Sequence, residues 1–338
     1  RFPEFTGEWK KCKIEDITDA VSSGKSKNHF SNGEYNLYGS TGIIGRTDKA
    51  LYDGKLVLVA RVGANAGFLQ IINEPCGITD NTLILKPKGI DAFYLYYFLQ
   101  HFNLNRLIFG SGQPLITGGM LKKVKVSLGT ISEQSKIVKF LSLLDERIAT
   151  QVRLIDRLQS LMIGIAQKIA HSNKPNVRIS DCLECSSSAL QESEVNKTGK
   201  YPVYGANGIV GYIDKYHTQN EAIYIIKDGS GVGGVSYVTG KCSSTGTLNI
   251  LQAKNGHSLK YLYYLLKVFN FVPYKTGMAI PHIYFKDYGK AKIFCPAYPE
   301  QLEYAKLLSS IDGNLRIALD SLKNFNLQKQ YLLRHMLI

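Results

Sequence analysis

The sequence predicts a mixed α/β (α+β) chain in which one unit is written twice. Two similar globular domains are separated by two long antiparallel coiled-coil helices, and a pseudo-twofold internal repeat relates the halves. Three observations carry this expectation. A segment near the start recurs about 166 positions later, each copy places short strands before an aromatic-rich helix, and each copy then runs into a long heptad seam.

The repeat sets the elements in order. Tyr35 to Gly45 reads YNLYGSTGIIG and Tyr201 to Gly211 reads YPVYGANGIVG, with both tyrosines and all three glycines kept. The same spacing carries LVLVARVGANAG, Leu56 to Gly67, onto AIYIIKDGSGVG, Ala222 to Gly233, an apolar strand followed by a Gly-rich turn. TLIL at Thr82 then matches TLNI at Thr247, and YLYYFL at Tyr94 matches YLYYLL at Tyr261. Each copy therefore adds a strand, a helix starting near Asp91 or Ser258, and a polar loop at Ser111 or Thr276. Tyr94, Tyr96 and Tyr97 fall at helical spacing, which reads as core and not as a stacking platform for bases.

Each half ends in a helical pattern with few breakers. Ile137, Leu141, Leu144, Ile148, Gln151, Ile155, Leu158 and Met162 step alternately by four and three, the mark of a coiled-coil seam. Leu308, Ile311, Leu315, Ala318, Leu322 and Phe325 repeat it, and Lys329 places one charge in the stripe. About 40 residues at 1.5 Å each make roughly 60 Å, longer than a domain of this size needs for its own packing. Two such seams in one chain most simply bury each other. The expected bounds are residues 1–129 and 173–297 for the domains, and 130–172 and 298–338 for the helices.

Composition narrows the partners. At 338 residues, 44% apolar and 20% charged, the chain has the make-up of a folded two-domain protein. No uncharged apolar run reaches the length of a membrane span, and no secretion-type segment opens the chain at Arg1, so no membrane role is expected. The six cysteines, at positions 12, 76, 182, 185, 242 and 295, are too sparse for a disulfide framework and suit a reducing cytoplasm. Cys182 and Cys185 form one CxxC, but no second pair stands at zinc spacing, so they read as free thiols and no metal is expected. Lys and Arg outnumber Asp and Glu 41 to 27, a net charge of +14 that favours a polyanionic partner.

Enzyme signatures are missing. Neither Asn-Pro-Pro nor Asp-Pro-Pro stands before an aromatic, as amino-methyltransferases require to hold a target amine. Gly24-Lys25-Ser26 imitates the end of a phosphate loop, yet the position five residues before Gly24 is Asp19 and not glycine. The turns Gly63 to Gly67 and Gly229 to Gly234 follow strands without matching a dinucleotide fingerprint. They read as structural turns or as points of close approach to a DNA backbone. His29, His101, His217 and His282 show no ligand spacing or nucleophile pairing. No catalytic residue is singled out.

Several stretches together resemble the specificity subunits of type I restriction-modification systems, across essentially the whole chain. They are the opening FPEFTGEWKKCKI, Phe2 to Ile14; the paired YGSTGIIG and YGANGIVG; and the helix starts SEQSKIVKFLSLLDERI, Ser132 to Ile148, and PEQLEYAKLLSSIDGNL, Pro299 to Leu315. Glu133-Gln134 and Asp145 recur as Glu300-Gln301 and Asp312, with Ser132 standing where Pro299 does. The resemblance implies two target recognition domains, each reading one half of a split double-stranded DNA site. It implies a chain without catalysis or cofactor of its own. Two methyltransferase subunits would sit on the helices carrying S-adenosylmethionine, and restriction subunits would join them in a prokaryotic cytoplasm. A type II-like specificity subunit would look the same, and a self-sufficient DNA-modifying enzyme with unrecognised motifs stays open as an alternative.

If the scaffold is duplicated and readout has diverged, the loops that differ are where DNA is read. The first loop offers Lys25, Lys27, Asn28 and His29 in one copy and Gln191, Asn196 and Lys197 in the other. Around the glycine turns stand Thr41, Arg46, Arg61 and Asn65, against Asn207, Tyr212, Lys227 and Ser230. A third loop gives Ser111, Gln113 and Thr117, against Thr276, Met278 and His282, with Lys122, Lys123 and Lys125 nearby. Arg or Lys on guanine and Asn or Gln on adenine are the chemistry of base edges, whereas most Lys and Arg contacts go to phosphates. The competing reading of each is a solvated surface loop.

Overall fold

The structure, a computed structural model, describes residues 2–27, 32–108 and 112–337. The chain divides into two compact units, Arg1–Val152 with Ser321–Ile338, and Arg153–Asp320.

The first unit is built on a four-stranded antiparallel sheet in the order Thr18–Ser23, Thr82–Pro87, Lys55–Ala60, Leu69–Asn73. The unbroken apolar run from Leu56 to Ala60 is explained by burial on both faces. Val57 and Val59 meet Leu83, Leu85 and the helix residues Leu95, Phe98 and Leu99 on one face. Leu56, Leu58 and Ile84 meet Ile72, Cys76 and Ile78 on the other. A three-stranded sheet lies beside this second layer: Gly42–Thr47 pairs antiparallel with Tyr35–Gly39, which pairs parallel with Cys76–Ile78. Asp91 caps the helix Ala92–Phe102 by accepting from Phe93 N and Tyr94 N at 2.8 and 3.3 Å, and Asn103, at φ 56°, ends it.

The second unit repeats the plan. Its four-stranded sheet runs Leu183–Ser187, Leu248–Ala253, Glu221–Ile226, Val235–Thr239, and its three-stranded sheet Gly208–Ile213, Tyr201–Gly205, Ser243–Ser244. Ser258 caps the helix Leu259–Lys267.

Two helices of 40 and 39 residues, Ile131–Ala170 and Tyr298–Met336, carry the heptad seams. In the first unit Ile137 and Leu141 pack with Leu333, Met336 and Leu337, and further along Asp145 reaches Lys329. Position rises on one helix as it falls on the other, so the two run antiparallel there. In the second unit Met162 and Ala166 share an apolar groove with Leu315. Leu141, Leu144, Ile155, Leu308, Ile311, Leu315 and Ala318 are buried; Ile148, Gln151, Leu158, Leu322 and Phe325 are half-buried. Among the described residues no helix is long and apolar enough to cross a membrane.

The repeated Gln of each helix start has a definite task. Gln134 accepts from Asp91 N at 3.1 Å and donates to Gly129 O at 3.0 Å, while Gln301 accepts from Ser258 N at 2.9 Å and donates to Pro296 O at 2.8 Å. Each buried amide thereby locks the start of a short helix to the start of a long one. The neighbouring Glu differs between copies: Glu133 is buried with Trp9 Nε1 at 3.1 Å from both of its oxygens, whereas Glu300 is exposed. Gly24 also has a structural reason, since a Cβ there would come within 2.3 Å of the Ile78 and Thr79 carbonyl oxygens. The chain at Gly24-Lys25-Ser26 packs backbone against backbone, with Ser26 N donating to Ile78 O at 2.9 Å.

Candidate nucleic-acid interface

One inner strand of each four-stranded sheet, Lys55–Ala60 or Glu221–Ile226, is followed directly by a basic residue held by the same backbone bonds. Arg61 N donates to Asn81 O at 3.0 Å, and its carbonyl accepts from Ile116 N at 2.8 Å. Lys227 N donates to Thr247 O at 3.0 Å, and its carbonyl accepts from Ile283 N at 2.9 Å. The glycine turn that follows docks on the third loop in each copy, through Gly63 N to Pro114 O at 3.0 Å and Gly229 N to Pro281 O at 3.0 Å. Turn and third loop, distant in sequence, thus form one surface at the sheet end.

The turns need glycine. Gly63 and Gly67 stand at φ +75° and +89°, Gly229 and Gly233 at +92° and +90°, where side chains are disfavoured. A Cβ on Gly67 would also press within 3.1 Å of Asn105 Oδ1, and one on Gly233 within 3.1 Å of Phe271.

On the first unit's surface Asn65 and Gln113 are exposed, Arg61 is half-buried, and Arg61 Nε is buried without a hydrogen-bond partner among the described residues. Thr117 is occupied otherwise: its hydroxyl caps the helix Gly118–Lys122 by accepting from Met120 N at 3.2 Å. Lys122, Lys123 and Lys125 are exposed. On the second unit's surface Ser230 is exposed, and Lys227 Nζ lies 3.5 Å from Ser187 Oγ. Thr276 and His282 pair through both backbone groups across a hairpin that carries Met278 wholly exposed near its tip. His282 Nδ1 meets Asp228 Oδ1 at 2.5 Å. Asp228 stands where the first copy has Val62, at a position no motif singles out. The 166-residue register held the clue, an acid replacing an aliphatic beside a candidate reader.

The other candidates belong to other loops. Thr41 and Asn207 are exposed at the tips of the hairpins in the three-stranded sheets. Arg46 donates from Nε to Gly33 O at 2.6 Å and from Nη2 to Glu34 O at 2.9 Å, so it holds the returning first loop. In the second copy Tyr212 and Asn196 hold it with a pair of backbone bonds, 2.8 and 3.1 Å. Gln191 and Lys197 are exposed on that loop. Lys25 and Lys27 line an open cleft with Asp48, Lys49 and Leu51; no pattern in the sequence points to Lys49 as their neighbour. Asn28, His29 and Ser111 lie outside the described residues.

Comparison with known proteins bears on this geometry. The type I restriction modification DNA specificity domain matches twice, over residues 6–160 and 172–324. A Mycoplasma genitalium protein assigned as a type I specificity subunit is 26% identical over 256 residues, 68% of this chain and 66% of that protein. The Escherichia coli EcoprrI specificity subunit is 26% identical over 37% of this chain and 31% of its own length. The chain therefore matches just under two thirds of the first relative and about a third of the second. Among solved structures, a type I restriction-modification S subunit from M. genitalium shares the fold over 100% of this chain and 97% of that one, with a TM-score of 0.74 at 19% identity. A chain from a study of type I system assembly shares it over 98% of each, with a TM-score of 0.57 at 12% identity. With both halves of the duplication matched by one domain family, the chain belongs to the type I restriction-modification DNA specificity family.

Proposed function

We propose that the chain is the DNA-reading specificity subunit of a type I restriction-modification complex, without catalysis of its own, and that its two domains each read one half of a bipartite double-stranded site. The observation that carries this reading is the repeated sheet end. Arg61 and Lys227 occupy one backbone position in the two units, beside turns and loops whose polar residues differ. A cation kept at the same place suits a phosphate, which sets register, while Asn65 and Gln113 against Ser230 and His282 suit different base edges. Residues 1–129 and 173–297 are the reading domains in this account, and 130–172 and 298–338 the spacer.

The long helices are the seat for two methyltransferase subunits, which carry the S-adenosylmethionine, with restriction subunits joining them in the cytoplasm. Exposed apolar side chains off the seam support this: Phe140, Leu143, Leu154, Leu161, Leu307 and Ile317 are each more than 40% exposed. Co-expression with methyltransferase subunits, followed by DNA-binding titrations at several salt concentrations, tests the reading. We expect tight binding to one split sequence and a steep salt dependence. Methyl transfer to DNA by the chain alone would contradict it.

A further inference from the structure

Three residues far apart in the sequence converge in the second unit. The ligand atoms of Cys182, His257 and Cys295 lie within 4.8 Å of one another, both cysteines being buried and the histidine half-buried. Cys295 Sγ and His257 Nδ1 are 3.5 Å apart, about the separation of two ligands on a tetrahedral ion bound at roughly 2.3 Å by sulfur and 2.0 Å by nitrogen.

The backbone around them is fastened. Cys182 O accepts from Lys254 N at 2.9 Å, and Lys254 O accepts from His257 N at 3.2 Å. Asn176 grips Cys295 on both sides, accepting from its N–H and donating to its carbonyl, each at 2.8 Å. Gln301 ties Ser258 to Pro296, the residues directly after His257 and Cys295. Ligands held this way cost little further ordering when an ion binds.

The duplication supplies an internal comparison. Ile14 N donates to Val124 O and Ile179 N to Ala291 O, both at 3.0 Å, and Asp91 and Ser258 take the equivalent glutamine bonds. By that register Ile17, Ile90 and Leu128 stand in the first unit where Cys182, His257 and Cys295 stand in the second. Those three aliphatics belong to one hydrophobic cluster. Apolar contact therefore suffices to build this corner of the scaffold. The second unit has placed three soft-metal donors there instead.

We propose that Cys182, His257 and Cys295 bind one divalent transition metal of the zinc class, leaving a fourth position for water. The ion would tie the end of the short helix Ile179–Cys182, the turn before the helix Leu259–Lys267 and the entry to the long helix Tyr298–Met336. It would fix how that helix leaves the domain. Cys185 takes no part despite its CxxC spacing, since it lies outside the cluster with its Sγ 3.7 Å from Ser186 O.

The untagged full chain, reduced and stripped with chelator, is titrated anaerobically with Zn2+ and with Co2+. We expect one ion per chain, visible d–d absorption of a tetrahedral thiolate–imidazole cobalt site, and a loss of more than about 100-fold in affinity for Cys182→Ser or Cys295→Ser. Cys185→Ser should bind as the parent does. Replacing the trio with the first unit's residues, Cys182→Ile, His257→Ile and Cys295→Leu, should abolish binding, and circular dichroism on this variant and on the single serine variants shows which are folded. Failure of the parent to retain an ion overturns the proposal. So does retention by folded Cys182→Ser and Cys295→Ser, equal loss in Cys185→Ser, or a Cys182–Cys295 disulfide in a chain that binds no metal after reduction.

Discussion

Lys329 Nζ lies 2.6 Å from Asp145 Oδ1. What looks in the sequence like a charge interrupting an apolar seam is one half of an ion pair between the two long helices in the first unit. Tyr97 Oη donates to the second carboxylate oxygen at 2.8 Å, and the ammonium sits 5.6 Å from the Tyr97 ring centre. Asp145 is 34% exposed and Lys329 18%. Removing the acid strands two partners, so Asp145→Ala should cost about 2–4 kcal/mol in urea unfolding. Lys329→Met keeps the packing but leaves the carboxylate with the Tyr97 hydroxyl alone, so it should cost about 1–3 kcal/mol, less than the loss of the acid. A larger loss for Lys329→Met than for Asp145→Ala would show that the pair is not arranged as described.

The two buried glutamines should behave alike. Gln134→Ala and Gln301→Ala each leave one backbone N–H and one carbonyl without their partner, at about 1–2 kcal/mol per group. Losses of roughly 2–4 kcal/mol are expected in chemical denaturation, each confined to the unit that carries the change.

Gly24 separates a packing role from a nucleotide-binding one. Gly24→Ala forces a methyl group onto two carbonyl oxygens and should lower the first unit's stability by more than about 2 kcal/mol, read from its thermal midpoint. ATP should leave the midpoint of the parent chain unchanged.

Arg61 and Lys227 are assigned to phosphates, so Arg61→Gln or Lys227→Gln should weaken binding at every sequence and reduce the log–log salt slope by about 1. Gln113→Ala should instead relax one base position in one half-site, by about 1–3 kcal/mol. Arg46→Ala should leave the salt slope alone and cost about 1–2 kcal/mol of stability, because its guanidinium is committed to Gly33 and Glu34.

The duplicated fold was legible because both copies keep their tyrosines, glycines and apolar strands in register. The heptad spacing likewise announced two long helices. Side-chain partners were less legible. Nothing local distinguishes Arg46, which binds carbonyls of a returning loop, from Arg61, whose Nε has no partner among the described residues. Thr117 looks like a polar reader until the helix it caps is seen, and Asp228 gains meaning only when His282 folds back onto it. Cys182, His257 and Cys295 escaped for the same reason. Their approach depends on three chain segments meeting, while the local CxxC pairs Cys182 with Cys185.

Divided reading of DNA is the central claim, and sequencing of methylated bases in a host that carries this chain together with methyltransferase subunits tests it most directly. Residues 8–129 are exchanged for those of a relative with different loops, and the methylated motif is mapped before and after. We expect one half of the motif to change while the other half stays as it was. A change in both halves, or in neither, would contradict two independent reading domains.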